Sequence, residues 1–298
     1  MTKDIGRGAA LPSTSAAPAT VKLADPAAPS SKIVSGTITV LGALRLICVI
    51  ALAMMWLLLL TPFQLLGLAF YTPLARRIPV LFHRGILVLF GVRLHLIGDP
   101  SANRPLMIVS NHVSWLDIVV LSAVAPVSFV AKADMASWPL IGWLAKMQRT
   151  VFVVREARRQ SGAQADQIAE RLAAYETMIL FPEATTTDGN ALAPFKTPLF
   201  EAAKRAIHNA SLSEATVQPI ALKYTRLSGL PIGRAERPHV AWPGEIGLGE
   251  SLLPLVRAGA LDVEVHFGAP ILMYEDSNRK VVAADTARAI RAMMNRPS

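Results

Sequence analysis

At 298 residues the chain is long enough for one full domain with appendages. It is 52% hydrophobic and only 17% charged, and its 30 basic residues outnumber 21 acidic ones for a formal net charge of +9. A single cysteine, Cys48, excludes an intramolecular disulfide, no His/Cys cluster has zinc spacing, and the scattered Arg and Lys lack the motifs of a nucleic-acid binder.

Residues 1–34 are rich in Ala, Pro, Ser and Thr and have almost no large apolar side chains, a composition that predicts a disordered tail. Leu46 to Ala75 then carries no charged side chain, and a membrane-spanning helix needs about 20 such residues. Residues 35–75 therefore read as a membrane-inserting segment. Pro62 breaks or kinks a helix there, which leaves two arrangements open: one tilted transmembrane helix over residues 38–61, or a helical hairpin with residues 63–75 as its second arm. The following Arg76, Arg77, His83 and Arg84 suit the cytoplasmic face of an inner or plasma membrane, with the domain at 76–298 on that side. The basic balance fits an anionic lipid surface.

Beyond residue 90 short apolar runs alternate with longer amphipathic segments. Strands are expected at 106–109, 127–130, 150–154, 178–181, 217–222 and 262–267, and helices at 115–124, 139–146, 160–175, 199–209 and 283–294. This alternation predicts an α/β fold, a mixed sheet flanked by helices. Pro219 demotes its strand to an edge of the sheet.

The run Asn111-His112-Val113-Ser114-Trp115-Leu116-Asp117 follows the first of these strands. A neutral imidazole takes a proton from a hydroxyl at neutral pH when a carboxylate fixes its tautomer and stabilises the imidazolium. On a continuous helix, positions five apart diverge by about 140°, so His112 and Asp117 converge only if the chain bends near Ser114. The same residues also read as a capping box, Ser-x-x-Asp, in which Asp117 serves only a helix end. Free N–H groups at that helix start are candidate oxyanion donors.

Further blocks follow in order: Arg149 to Arg155 (Arg-Thr-Val-Phe-Val-Val-Arg), Phe181-Pro182-Glu183-Ala184-Thr185, and Val217-Gln218-Pro219-Ile220. With the first run, these make residues 75–275 resemble the glycerolipid and lysophospholipid acyltransferase family, whose blocks read Asn-His-x-x-x-x-Asp, aromatic-x-x-Arg, Phe-Pro-Glu-Gly-Thr and an apolar-flanked Pro. The resemblance implies a glycerol-3-phosphate acyltransferase-like fold, with His112 as general base and Asp117 as its partner. It also implies acceptor or donor binding by Lys132, Arg155, Glu183 and Thr185. Two positions depart from it: Arg149 and Ala184 stand where the family has Gly, and the methyl of Ala184 disfavours the positive φ that Gly permits.

The implied activity is membrane-bound transfer of a fatty acyl chain from acyl-CoA or acyl-carrier protein to a lysolipid hydroxyl, most directly 1-acylglycerol-3-phosphate, giving phosphatidic acid. No cofactor, metal or nucleic acid is expected. The Phe-Pro-Glu-Ala-Thr-Thr-Thr-Asp-Gly run also resembles family members that acylate lyso-ornithine lipid. The rival outside catalysis is a lipid-binding membrane protein. A serine lipase is excluded because the chain has no Gly-x-Ser-x-Gly.

Overall fold

The computed structural model describes residues 40–154, 161–237, 240–242 and 259–297. The expected tail and Arg155 lie outside the described residues.

The apolar segment forms α1 (Val40–Ala69), a helix of 30 residues that runs through Pro62 instead of ending there. Proline removes only the one N–H that would bond Leu58 O, and in apolar surroundings every further broken backbone bond is costly, so the helix continues, with Thr61 Oγ1 donating to Leu57 O at 2.8 Å in the adjoining turn. The chain reverses at 70–73, and α2 (Leu74–Phe90) returns along α1. The hairpin expected to turn at Pro62, with residues 63–75 as its second arm, is not the one that forms: residues 63–69 continue the first arm, and the second arm is the amphipathic segment containing Arg76, Arg77, His83 and Arg84. Two of these serve the fold: His83 is buried with Nδ1 2.7 Å from Pro79 O, and Arg84 Nε donates to Ala123 O at 2.8 Å. Gly91 ends α2 in a left-handed conformation at φ 70°, where a side chain is disfavoured and an added Cβ would collide with Gly259 O.

The sheet is mixed. β1 (Val92–Ile97), β2 (Leu106–Ser110), β3 (Ser128–Lys132), β4 (Val151–Val153), β5 (Met178–Leu180), β6 (Ala215–Leu227), β7 (Leu230–Pro231), β8 (Leu261–Phe267) and β9 (Ile271–Met273) are arranged with the order β1-β8-β6-β2-β5-β3-β4, while β7 and β9 also pair with β6. β6, β2, β5, β3 and β4 are mutually parallel; β8 and β9 run antiparallel to β6. Helices α3 (Leu116–Val124), α4 (Ile141–Met147), α5 (Ser161–Ala173), α6 (Glu201–Asn209) and α7 (Arg279–Met294) complete the unit.

Side chains alternate across the sheet and build a core on each face. Leu106, Ile108, Ile179 and Leu222 pack with α3 and the hairpin; Met107, Val109, Met178 and Val217 pack with α5, α6 and α7. Full burial of such a side chain stabilises by about 1.5–3 kcal/mol.

Pro219 sits inside the central strand β6, contrary to the edge placement expected for it. Its carbonyl accepts from Gly268 N at 2.8 Å, on the side where β6 exchanges β9 (paired to residues 215–217) for β8 (paired from 220). The missing N–H falls in that gap, so no ladder bond is lost. β1, β7 and β9 were not anticipated; β1 is short and half-exposed, without a clean alternation to announce it.

Candidate active site

β2 ends at Ser110, and the next residue prolongs its pairing by a side chain. Asn111 Nδ2 donates to Leu222 O at 3.1 Å and Asn111 Oδ1 accepts from Leu222 N at 2.8 Å, so the amide imitates one more peptide of the ladder. This fixes the point from which His112 emerges, at the carboxyl end of the parallel strands.

His112 and Asp117 meet. Nδ1 of the imidazole lies 2.8 Å from Asp117 Oδ2, which also accepts the N–H groups of Val113 (2.7 Å) and Ser114 (2.9 Å). Those backbone bonds supply the bend near Ser114, and α3 starts at Leu116. The other carboxylate oxygen, Oδ1, accepts the phenolic O–H of Tyr224 at 2.5 Å. Asp117 is fully buried, so its donors replace the water it gives up. Burial, then the charge of Asp117, holds the Tyr224 pKa well above its ordinary value, so the phenol remains a donor. With Nδ1–H directed at the carboxylate, Nε2 of His112 is left as the proton acceptor.

The imidazole is clamped on its face by Phe181, with ring centroids 4.1 Å apart and planes at 17°. His112 forms part of the wall of an apolar cavity of about 330 Å³. Trp115, Phe129 and Trp138 continue that wall, and the hairpin closes it with Leu57, Leu60 and Phe82. A partly exposed imidazole with an oriented tautomer beside an apolar cavity can deprotonate a hydroxyl held against a fatty thioester.

The Acyltransferase family profile matches residues 92–223, which include the dyad. The chain is 45% identical to a lyso-ornithine lipid O-acyltransferase of Brucella abortus, over 85% of this chain and 95% of that one. It is 45% identical to another of Rhizobium meliloti, over 80% and 82%, and 33% identical to a 1-acyl-sn-glycerol-3-phosphate acyltransferase of Neisseria meningitidis, over 71% and 78%. The chain belongs to the acyltransferase family. Its fold is also that of the 1-acyl-sn-glycerophosphate acyltransferase PlsC from Thermotoga maritima, with a TM-score of 0.53 at 18% identity over 85% of this chain and 99% of that chain.

The other expected site residues divide. Glu183 stands beside the dyad, buried, but both its oxygens are engaged by backbone: Oε1 accepts from His112 N and Oε2 from Ala193 N, each at 2.7 Å. It ties the strand end carrying His112 to the loop after β5 instead of presenting an open carboxylate to an acceptor. Burial pushes its carboxyl pKa up, and the two N–H groups pull it partly back. Lys132 borders the same cavity as His112, with Nζ 2.7 Å from Asp134 Oδ2. Thr185 is exposed, and its Oγ1 turns to the neighbouring Thr186 O at 3.4 Å.

At both family glycine positions the backbone keeps the glycine conformation: Ala184 has φ 60° and Arg149 φ 62°. The methyl of Ala184 does not expel the turn from the left-handed region, as its chemistry led one to expect; the turn holds and carries the strain. Sequence reasoning missed Tyr224, Asn111 and Phe181 as members of the site. Asn111 and Phe181 lay inside the blocks and had a signal in their position, whereas Tyr224 had none, since its role depends on β6 outrunning β2.

Proposed function

We propose that the protein is a membrane-bound O-acyltransferase with His112 as general base, transferring a fatty acyl chain from a phosphopantetheine thioester, acyl-CoA or acyl-carrier protein, to a lysolipid hydroxyl. The observation that carries this reading is the His112–Asp117–Tyr224 array opening on the apolar cavity. Nε2 takes the hydroxyl proton, and the hydroxyl oxygen attacks the thioester carbonyl. The tetrahedral intermediate collapses with cleavage of the C–S bond, and the thiolate leaves with the proton returned by the imidazolium. No enzyme nucleophile and no cofactor enters the sequence of steps.

For the acceptor, the balance of similarity favours lyso-ornithine lipid over the 1-acylglycerol-3-phosphate that the blocks most directly imply, since two relatives with that name match at 45% against 33%. Lysophosphatidate stays as the second reading on the strength of the Neisseria relative.

α1 is long and apolar enough to cross a membrane, and only 17% of its most apolar window is buried. Its two ends nevertheless fasten to one domain. Arg45 packs over Gly259, and Gln64 Nε2 donates to Met147 O at 2.8 Å. That stretch is about 28 Å of helix, close to the roughly 30 Å of a bilayer's hydrocarbon core. A helix held at both ends by a water-facing domain supports insertion into one leaflet, with Ile47, Met55, Leu58 and Phe63 directed at lipid.

The test is transfer of labelled acyl groups by the membrane-reconstituted protein to lyso-ornithine lipid and lysophosphatidate, with His112→Ala alongside. The variant should stay folded and lose activity by about 10²-fold or more. Full activity in it would refute the mechanism; product from lysophosphatidate alone would restore the second acceptor.

A further inference from the structure

A second crevice, of about 360 Å³, opens beside the dyad at the carboxyl end of β2 and β6, and Val113, Gly189 and Tyr224 contribute to its wall. Ligands of parallel α/β sheets lodge at the carboxyl ends of the strands. Unlike the apolar cavity, this crevice borrows nothing from the hairpin. Among the described residues lining it are Lys223, Arg234, Arg237 and Arg296, and no Asp or Glu. Lys223 is already committed, with Nζ 2.7 Å from Arg296 O and 3.4 Å from Glu264. Arg237 is steadied by a bond from Nη1 to Gly189 O at 3.4 Å. Among the described residues no carboxylate lies within ion-pair distance of Arg234, Arg237 or Arg296.

We propose that this crevice binds a phosphate of the acyl donor, the one borne by the phosphopantetheine arm common to coenzyme A and acyl-carrier protein. Three guanidinium groups without carboxylate partners among the described residues form an anion site, and guanidinium groups match phosphate oxygens in paired hydrogen bonds. The position selects the donor over the acceptor. A lysolipid keeps its tail in the bilayer and reaches His112 from the hairpin side, while the donor arrives from water, where the arginines are. The arm separates phosphate from thioester, so the phosphate is held apart from the reacting carbon. With an acceptor that has no phosphate, the donor is the sole source of that group in the reaction.

This inference rests on the acyl-transfer reading, and the experiment separates the two. The double variant Arg234→Ala/Arg296→Ala is compared with the wild type using acyl-CoA, acyl-carrier protein and acyl-pantetheine, which has no phosphate. The expected result is a fall of about tenfold or more in the kcat/KM ratio of phosphorylated over unphosphorylated donor, the scale of lost hydrogen bonds to charged groups. The donor showing the larger loss, coenzyme A or carrier protein, is the source of the phosphate. An unchanged ratio, an equal loss on acyl-pantetheine, or a rise confined to the KM for the lysolipid would overturn the proposal. Calorimetric binding of coenzyme A against pantetheine reads the same site without turnover. A preference for coenzyme A that the variant abolishes would uphold the site even in a protein that transferred no acyl group.

Discussion

Tyr224 and His112 bind opposite oxygens of one buried carboxylate: the phenol donates to Asp117 Oδ1 at 2.5 Å while the imidazole meets Oδ2 at 2.8 Å. The tyrosine therefore acts on the imidazole at one remove, by holding the orientation of Asp117. Tyr224→Phe keeps the ring packing and removes that single donor. It should lower kcat by about tenfold, the worth of a hydrogen bond to a charged group, and leave KM for both substrates near the wild-type value. A change confined to KM would contradict this positioning role.

Ala184 holds a left-handed conformation at φ 60°. That conformation costs a residue with a Cβ roughly 1–2 kcal/mol, and glycine gives back about 0.5–1 kcal/mol through its freer unfolded chain. Ala184→Gly should therefore stabilise the protein by about 0.5–1 kcal/mol, seen as a rise in Tm of about 1–4 °C. Arg149→Gly relieves the same strain but also breaks the 2.8 Å ion pair to Glu176, so it should gain less.

Glu183 gives a pH signature. Its folded-state pKa is raised above the ordinary 4.5, burial being the largest cause. Below 4.5 the carboxyl is protonated folded or unfolded and contributes nothing to the pH dependence. As pH rises past that value the unfolded chain ionises first, so stability falls until the folded carboxyl ionises too. Measured as Tm against pH, the wild type should decline across this window more than Glu183→Gln does. Parallel curves would show that the shift is absent.

The one-leaflet insertion proposed for α1 predicts that its flanks share a side. In a Cys48→Ser background, Lys32→Cys ahead of the helix and Arg93→Cys on β1 should react with a membrane-impermeant maleimide in the same vesicle orientation. Labelling from opposite sides would establish a spanning helix.

Much of this site is legible in the sequence because it is local. The Asn111–Asp117 run holds its own bend: Asp117 Oδ2 accepts the Ser114 N–H, one half of the expected capping box, and orients His112 with the same oxygen, while the N-cap position falls to Trp115 instead of Ser114. What escapes is set by partners distant in the chain. Tyr224 reaches Asp117 across 107 positions because β6 continues after β2 has ended. Pro219 reads as an edge residue because its pattern does not disclose that β6 changes neighbours at that position. The hairpin is misjudged for a related reason. Charges on α2 look like the end of a membrane segment, yet Arg76 approaches Glu176 at 3.7 Å and Arg84 reaches Ala123, so they fasten a helix to a protein surface.

A membrane hairpin is the usual segment to delete when a water-soluble enzyme is wanted. Here the cut is costly, since Leu57, Leu60, Phe82 and Ile86 are masonry of the cavity that His112 faces, and Phe90 belongs to the domain's own core. A fragment beginning at residue 76 would keep the dyad and lose the α1 wall of the room in which it works. Membrane attachment and catalysis are therefore inherited together, and a soluble form is better sought by repainting the outward side of α1 with polar residues than by shortening the chain.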